Sequence, residues 1–345
     1  MTDNLSYAKS GVDIDATDAA KREMAASIDS DDPRVLNRFG AFAPLVDARF
    51  PGFDDPVMVL KTDEPGSKQK LAFDTDRVES LCYDLINHLI NDIVVMGAHP
   101  MYLMDCIVCG QLDKSIVNRL VHGLSQACRD QGAVLVGGET SVQPGIVADG
   151  VYVLSASAVG VAERAQVVDG TRIKSGDVVL GVASNGLHTN GYTLVRTLLD
   201  RDPSIGEMAI ADESFFDVIM RPHLCYYHGV KGLFGDAALT GLAHITGGGL
   251  HDNIIRVLPS TVTARIDLGK LRVAEVFKEI HRLGGVSDED MRRTFNLGVG
   301  LALVCTADAQ ERFGDHLRAQ GFDAWPIGEV VEGTGEVELS GQIHW

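Results

Sequence analysis

The chain has 345 residues, of which 45% are hydrophobic, so it is long enough for two domains that each bury a core. Acidic residues outnumber basic ones by 48 to 30, which gives a formal net charge of −18. Nucleic acids and anionic membrane surfaces bind basic faces, so this composition excludes both as expected partners.

The first 40 residues, roughly, are polar and acidic, and they predict an arm that carries one helix from Ala16 to Ile28. This N-terminus lacks the apolar core of a signal peptide, and the sequence has no uninterrupted run of about 18 apolar residues. We therefore expect a cytoplasmic protein. The C-x-x-C pair Cys106 and Cys109 is interpreted as reduced core thiols rather than as zinc ligands or a redox pair.

Strands and helices are mixed in the first half of the chain. Leu81, Leu85, Leu89 and Ile93 recur at four-residue spacing and predict a long helix. The predicted elements are a strand at 57–62, a helix at 78–98, a strand at 101–110, a helix at 114–132, and strands at 133–140 and 151–162.

Turn residues between 165 and 176 mark a domain boundary, which predicts an N-terminal domain over 1–168 and a C-terminal domain over 169–345. The second half is predicted to contain strands at 178–183, 261–266, 299–305 and 326–331, and helices at 192–199, 213–233, 250–258, 274–283, 288–295 and 307–320. Several connections are too short for a strict β-α-β repeat. This pattern favours an α+β fold over a doubly wound sheet.

The loop "KTDEPGSK" resembles a phosphate-binding loop without matching the P-loop pattern. Asp63 is followed by a Pro-Gly turn, a small hydroxyl at Ser67 and Lys68. The P-loop needs a further glycine upstream and the order Gly-Lys-Ser/Thr. Two interpretations stay open at this point: a nucleotide loop of another design, or a solvated turn.

The helix after this loop has an unusual polar face. Asp84, Asn87, His88, Asn91 and Asp92 fall within an arc of about 140°. Short Asp and Asn side chains suit oxygen coordination of Mg²⁺, whereas an ordinary wet face would carry more Lys and Glu. The alternative is a solvated face with local hydrogen bonds.

Three glycine-rich loops follow. In "LVGGET", backbone amides freed by Gly138 could approach an anion while Glu139 holds its metal; the alternative is a glycine turn and a helix cap. In "SNGLHTNGY", His188 and Asn190 precede a helix N-terminus, where anions are favoured; a structural histidine is the alternative. In "AHITGGGL", three glycines follow His244 and indicate either a bound phosphate or tight helix packing.

Taken in order, these stretches resemble the phosphoribosylformylglycinamidine cyclo-ligases, also called aminoimidazole ribonucleotide synthetases. The resemblance runs from about Tyr7 to about Gly328 and rests on "GVDIDA", "TDEPGSK", "DLINHLINDIVVMGAHP", "LVGGET", "GLHTNGYTLVR", "HITGGGLHDNIIRVLP" and "RTFNLGVG". It implies an α+β two-domain fold. An N-terminal sheet would close a barrel across a homodimer, and a C-terminal α/β sandwich-like domain would close the active-site cleft.

The resemblance also implies an activity. Members convert formylglycinamidine ribonucleotide and ATP into aminoimidazole ribonucleotide, ADP and phosphate, through a phosphorylated amide, in purine biosynthesis. The chain would then be an ATP-dependent ligase that forms a C–N bond and uses Mg²⁺, with K⁺ as a further candidate cofactor. Its task would be positioning and charge neutralisation.

Site residues carry over motif by motif, from "DGVGTK", "DLVAMCVND", "GGET", "SSGPHSNG" and "HLTGGG" in the family. The implied catalytic residues are His188, Lys68 and Asp92, and the implied metal ligands are Asp63, Asp92 and Glu139. The implied ATP contacts are Asp63, Lys68, Asp84, Asn91, Gly137, Gly138, Glu139 and Thr140. The implied substrate contacts are His188, Asn190, His244, Thr246, Gly247, Gly248 and Gly249.

The sequence also departs from the family pattern. Glu64 and Pro65 replace residues of the "DGVGTK" loop, and Pro65 fixes φ and removes an N–H donor. Val142 stands where an acidic residue is usual, and Asn87 and His88 replace apolar residues. We interpret the chain as a divergent subtype with the same reaction, in which Glu64 is either an added metal ligand or solvent-facing.

Several alternative functions share the superfamily architecture. A selenophosphate synthetase would carry a reactive cysteine near its N-terminus, yet the first cysteine here is Cys82; a carbamoyl-dehydrating hydrogenase maturation protein would end in cysteine, yet this chain ends in Trp345. Thiamine-phosphate kinases lack the "HITGGGL…RTFN" pairing. Another phosphoryl-transfer enzyme of the superfamily and an inactive nucleotide-binding scaffold therefore remain as alternatives.

Overall fold

The computed structural model describes Ile28, residues 32–37 and residues 42–345. The predicted helix at 16–28, apart from Ile28, and the "GVDIDA" motif lie outside the described residues. Within those described ranges, no helix combines the length and the apolar character that crossing a membrane requires.

The N-terminal half is built on a four-stranded sheet with one face covered by helices. Its strands are β1 (Pro56–Asp63), β2 (His99–Cys109), β3 (Val134–Val142) and β4 (Tyr152–Glu163), in the order β1-β4-β2-β3. Its helices are α1 (Lys68–Asp74), α2 (Val78–Val94) and α3 (Lys114–Asp130). The leucines at four-residue spacing in α2 are fully buried, as that spacing predicts.

The C-terminal half contains a second, larger sheet. The strands in chain order are β5 (Val178–Ala183), β6 (Ala209–Ile210), β7 (Glu213–Ser214), β8 (Leu239–His244), β9 (Val262–Asp267), β10 (Val299–Cys305), β11 (Ala324–Glu332) and β12 (Val337–Ser340). Six of them form one sheet in the order β12-β9-β11-β5-β10-β8, and β6 pairs with β7. All neighbours in the large sheet are antiparallel except β12 and β9, which confirms the α+β class.

The helices of this half are short. They are α4 (Tyr192–Arg201), α5 (Phe215–Ile219), α6 (Tyr227–Val230), α7 (Gly249–Ile254), α8 (Glu275–Gly284), α9 (Asp288–Thr294) and α10 (Gln310–Ala319). The predicted strands at 178–183 and 299–305 are confirmed with their bounds, whereas β8 and β12 were not predicted.

The predicted helix at 213–233 is wrong. Helix α5 ends at Ile219, and Pro222 lacks the N–H group that a continuing helix would need. Residues 221–226 instead run as irregular chain between α5 and α6. One hydrophobic core cluster includes buried residues from both halves. Residues 221–226 lie at the boundary between the halves, where they contact α2.

Candidate active site

The polar face of α2 binds the backbone of residues 221–226. The Asn87 amide donates to the carbonyl oxygen of His223 at 2.7 Å. The Asn91 amide donates to the carbonyl oxygen of Leu224 at 2.8 Å, and its oxygen accepts from the Tyr226 N–H at 2.8 Å. Asn side chains match both groups of a peptide bond, so this part of the predicted wet or metal-binding face is an interdomain contact.

Lys68 is buried in the same contact and is paired with Asp84. Its ammonium donates to Asp84 Oδ1 at 2.8 Å, to the Arg221 carbonyl at 2.7 Å and to the His188 carbonyl at 3.4 Å. Burial lowers the pKa of Lys68 and raises the pKa of Asp84, while their mutual attraction opposes both shifts. Neither the Lys68 nor the Asp84 side chain exposes any surface, so this conformation does not support their predicted contacts with ATP. The same holds for Asn91, whose amide is engaged by the backbone of Leu224 and Tyr226.

Asp63 and Asp92 converge on one cationic group. The ammonium of Lys61 lies 2.9 Å from Asp63 Oδ2 and 2.8 Å from Asp92 Oδ2, and His88 Nε2 lies 3.4 Å from the same Asp63 oxygen. Burial would raise the pKa of Asp63, but hydrogen bonds from His88, Lys61 and the Glu64 amide hold it well below its usual range. Two ionised carboxylates that face one point provide the oxygen ligands that Mg²⁺ prefers.

Lys61 was missed in the sequence, although a signal was present. It lies two residues before Asp63 on β1, and alternate residues of a strand share a face. A lysine and an aspartate at that spacing are therefore neighbours on the side of the sheet that α2 covers.

A hydrogen-bonded chain of histidines extends from Asp92. His244 Nδ1 lies 2.7 Å from Asp92 Oδ1, and His244 Nε2 lies 3.0 Å from His223 Nε2. The Thr189 hydroxyl lies 3.3 Å from His223 Nδ1 and 2.9 Å from His88 Nδ1. The structure thus brings together two predicted site residues from separate motifs, Asp92 and His244. It adds His223, which follows Pro222 and was not predicted from the sequence.

His188 completes this group and is unusual in two respects. Its φ of +62° lies in the left-handed region, which non-glycine residues rarely adopt. Its ring stacks on His223 with centroids 4.0 Å apart, and neither of its buried nitrogens has a hydrogen-bond partner among the described residues. Burial holds the pKa of both His188 and His223 well below the ordinary value, so both rings are neutral near pH 7.

The loop that departs from the family pattern, residues 63–68, is held by hydrogen bonds between its own residues. The Gly66 N–H donates to Glu64 Oε2 at 2.6 Å, and the Glu64 N–H donates to Asp63 Oδ1 at 2.9 Å. Gly66 has φ of +69°, and a Cβ there would lie 2.9 Å from the Thr189 carbonyl oxygen. Glu64 therefore stabilises the loop that carries Asp63, and the small residue at 66 lets this loop approach the C-terminal domain.

The "GGET" motif lies across the sheet from Asp63. The register places Asp63, Ala156, Asp105 and Gly138 in one row, so Asp63 and Gly138 are three strand spacings, roughly 14 Å, apart. Glu139 is exposed and, as the next residue, points to the opposite face. One ion cannot be held by Asp63 and Glu139 of the same chain in this arrangement.

Gly138 is required by a buried acid that was not predicted. A Cβ on Gly138 would overlap the Asp105 carboxyl group. Burial raises the pKa of Asp105 to about 7, and the nearby charge of Glu139 adds to this shift. Gly137, Gly138, Glu139 and Thr140 all belong to β3, so the alternative of a glycine turn with a helix cap is wrong.

The three glycines after His244 serve close packing. Gly248 and Gly249 have φ of +92° and +62°, and a Cβ on Gly249 would overlap the carbonyl oxygen of Arg292. Thr246 is held by Asn253, whose Oδ1 lies 3.3 Å from the threonine hydroxyl. The packing alternative is thereby supported for Gly249, and the phosphate contact of these glycines stays a prediction.

A cleft of about 350 Å³ adjoins these glycines, and its lining includes Gly248, Arg292 and Arg293. Two guanidinium groups favour an anion in this cleft, whereas Asp252 and Glu289, which also line it, oppose one. On the other side, a Cβ on Gly247 would lie 3.3 Å from Asn190 Nδ2, so the structure brings the two predicted substrate motifs into contact.

The chain matches known proteins over nearly its whole length. Residues 47–162 match the family model "AIR synthase related protein, N-terminal domain", and residues 174–340 match "AIR synthase related protein, C-terminal domain". A protein of Sorangium cellulosum named phosphoribosylformylglycinamidine cyclo-ligase is 39% identical over 99% of both chains.

Two solved structures share the fold. The thiamine-monophosphate kinase of Stenotrophomonas maltophilia superposes with a TM-score of 0.68 at 17% identity, covering 95% of this chain and 96% of that one. The hydrogenase maturation protein HypE in complex with ATP superposes with a TM-score of 0.66 at 19% identity, covering 96% of this chain and 92% of that one.

Proposed function

The chain belongs to the AIR synthase related family, and from this premise we propose that it catalyses the ATP-dependent ring closure of formylglycinamidine ribonucleotide. The products are aminoimidazole ribonucleotide, ADP and phosphate, and the reaction forms a C–N bond. The observation that carries the proposal is the 39% identity, over 99% of both chains, to a protein named phosphoribosylformylglycinamidine cyclo-ligase.

Asp63 and Asp92 are proposed to hold the magnesium of Mg-ATP. Their Oδ2 atoms already share one cationic neighbour, the Lys61 ammonium at 2.9 and 2.8 Å, so the pair fits a cation with oxygen ligands. Bound there, Mg²⁺ would neutralise phosphate charge. Lys61, which lies beside the same carboxylates, would supply a further cation to the phosphates.

The remaining predicted residues keep distinct proposed tasks. His188 is proposed to contact the reacting amide or the departing phosphate in a conformation that exposes its ring, because both of its nitrogens are buried in the described one. His244 is proposed to orient the substrate through its hydrogen bond to Asp92. Lys68 and Asp84 are proposed to position the loop around Asp63 rather than to touch ATP, because both are completely buried. Glu139 is proposed as a nucleotide contact on the opposite face of the sheet.

That opposite face supports the proposed homodimer. It exposes a group of large apolar side chains: Met58, Leu60, Met104 and Val153. Leu60 is 69% exposed although it lies in mid-strand. A second copy of the same sheet would cover this patch, and Glu139 would then lie at the interface between protomers.

The test is the appearance of an aromatic amine. The purified protein is incubated with formylglycinamidine ribonucleotide, ATP, Mg²⁺ and K⁺, and aminoimidazole is detected by diazo coupling. Amine formed one-for-one with ADP supports the proposal, and omission of K⁺ tests that cofactor. ATP binding without amine would favour the inactive scaffold, and ADP formed without amine would favour another phosphoryl-transfer reaction.

The cytoplasmic location of the protein stays a prediction.

A further inference from the structure

Three buried histidines from separate segments lie close together, and one of them, His244, contacts the Asp92 carboxylate. His188 precedes α4, His223 lies in residues 221–226 and His244 ends β8, and their ligand nitrogens lie within 4.8 Å of one another. We propose that His188, His223 and His244 form a binding site for one divalent transition-metal ion of the Zn²⁺ class. This nitrogen site is separate from the oxygen site proposed for Mg²⁺.

Two of the rings already have the outer partners that metal-bound histidines usually have. His244 Nδ1 is 2.7 Å from Asp92 Oδ1, and His223 Nδ1 is 3.3 Å from the Thr189 hydroxyl. In a metal-bound state such partners accept the N–H of Nδ1 and leave Nε2 as the ligand. The two Nε2 atoms lie 3.0 Å apart, so both are close enough to bind one ion once they turn from each other toward it.

Without a metal, one of these Nε2 atoms must carry the proton that joins them. With His244 donating from Nδ1 to Asp92, that proton lies on His223 Nε2. Metal binding moves it to His223 Nδ1, where it is donated to Thr189, whose own hydroxyl proton can turn to His88 Nδ1 at 2.9 Å. The change is a tautomer shift, so no proton has to leave the buried site.

His188 supplies the third ligand. Both of its nitrogens are buried and lack a hydrogen-bond partner among the described residues, and an unpaired buried polar group is destabilising. Its left-handed backbone, with φ of +62°, holds the ring against His223 at a centroid distance of 4.0 Å. Nitrogens in a tetrahedral zinc site are roughly 3.4 Å apart, and each ring must have the ion in its own plane. The His188 ring, inclined by only 22° to the His223 ring in the present stack, must therefore rotate out of that stack to bind the same ion.

The surroundings favour a borderline cation over Mg²⁺. Asp63 and Asp92 carry two negative charges at the edge of the cluster, and Lys61 neutralises one of them. Three nitrogen donors near a net negative charge suit Zn²⁺ or Co²⁺, whereas Mg²⁺ takes oxygen ligands.

The experiment is a metal titration of the full-length protein after dialysis against EDTA, without ATP or substrate. Co²⁺ is the probe because tetrahedral Co²⁺ absorbs strongly in the visible range. The expected result is one Co²⁺ per chain with that absorption, displaced by one Zn²⁺. His223→Leu should weaken binding at least tenfold, because loss of an outer-shell group alone costs about 10–100-fold. His251→Leu, at an exposed histidine paired with Asp252, is the matched control and should bind as wild type.

His188→Asn is the second variant, because it removes a ring that makes no hydrogen bond and leaves the α2 contact intact. It should also lose the Co²⁺ absorption. The proposal is overturned if the unmodified protein shows no such absorption, or if both variants fold and bind Co²⁺ as tightly as the His251→Leu control. The titration contains no nucleotide, so failure of ring closure would leave its outcome unchanged.

Discussion

Lys68 and Asp84 form an ion pair in which neither side chain exposes any surface, with Nζ 2.8 Å from Oδ1. The lysine comes from the N-terminal domain and also donates to two carbonyl groups of the C-terminal domain, so the pair joins the two domains. The position of Lys68 in a glycine-containing loop predicted a phosphate contact. In the fold its ammonium instead donates hydrogen bonds to three protein oxygens.

Lys68→Met is expected to lower the free energy of unfolding by about 3–5 kcal/mol, because it leaves the Asp84 carboxylate buried without its cation. Urea denaturation followed by circular dichroism measures this loss. Lys70→Met is the matched control; its pair with Asp74 is exposed, so the expected change is at most about 0.5 kcal/mol. Equal stability of the two variants, together with weaker ATP binding only in Lys68→Met, would return Lys68 to the phosphate site.

Lys61→Met is expected to tighten the binding of Mg²⁺ alone by about tenfold. The ammonium competes for the oxygens of Asp63 and Asp92, and removing one charge at this distance changes the energy by about 1–4 kcal/mol near a protein surface. Competition with Mn²⁺, followed by electron paramagnetic resonance, reports this affinity without turnover. Unchanged affinity would show that Mg²⁺ binds elsewhere.

Asp92→Asn is expected to lower the rate of amine formation by about 10²–10³-fold, because it removes a charge that faces the cation and weakens the hydrogen bond to His244. The diazo assay measures the rate. Asp74→Asn, at an exposed carboxylate in α1, is the control and should retain wild-type activity. A similar loss in both variants would point to damaged folding rather than to a role in the site.

The buried Asp105 gives a pH dependence of stability. Its pKa of about 7 in the folded state lies above the value of about 3.9 expected in the unfolded chain. The folded protein therefore holds a proton that the unfolded chain has lost, and the stabilisation present below pH 4 disappears as pH rises to 7. The slope is about −1.4 kcal/mol per pH unit for this one group.

Asp105→Asn stays neutral at every pH and should remove that slope. Urea unfolding at pH 5 and pH 8 is the measurement, and the variant should gain stability relative to wild type at pH 8 by a few kcal/mol, on the order of the shift that burial imposes. The same stability difference between variant and wild type at both pH values would contradict a raised pKa.

Gly249→Ala tests the packing role of the triglycine loop by urea denaturation. The added methyl group would overlap the Arg292 carbonyl oxygen, so a loss of more than about 2 kcal/mol in unfolding free energy is expected. Gly285→Ala is the matched control, since Gly285 also has a positive φ of +56° but has no atom within 4 Å of the added carbon. Its expected loss is only about 1 kcal/mol, from the backbone conformation alone.

Several helices and strands of the fold could be predicted from the sequence. Periodicity located α2, and apolar runs located β5 and β10 with their bounds, because these segments bury a continuous face or are buried throughout. It also placed Asp63 and Asp92 in one predicted site, since both stand in motifs that resemble one family. The same local signals failed at residues 213–233, where Pro222 interrupts an apparently helical stretch.

Tertiary structure decided what the polar groups do. A short polar side chain on a helix looks the same in sequence whether it binds a metal, water or a peptide group. Asn87 and Asn91 bind the backbone of residues 221–226, whereas Asp92 on the same face reaches Lys61 and His244. The choice depends on which distant segment is packed opposite each side chain, and the converging histidines and the buried Lys68 follow from that packing alone.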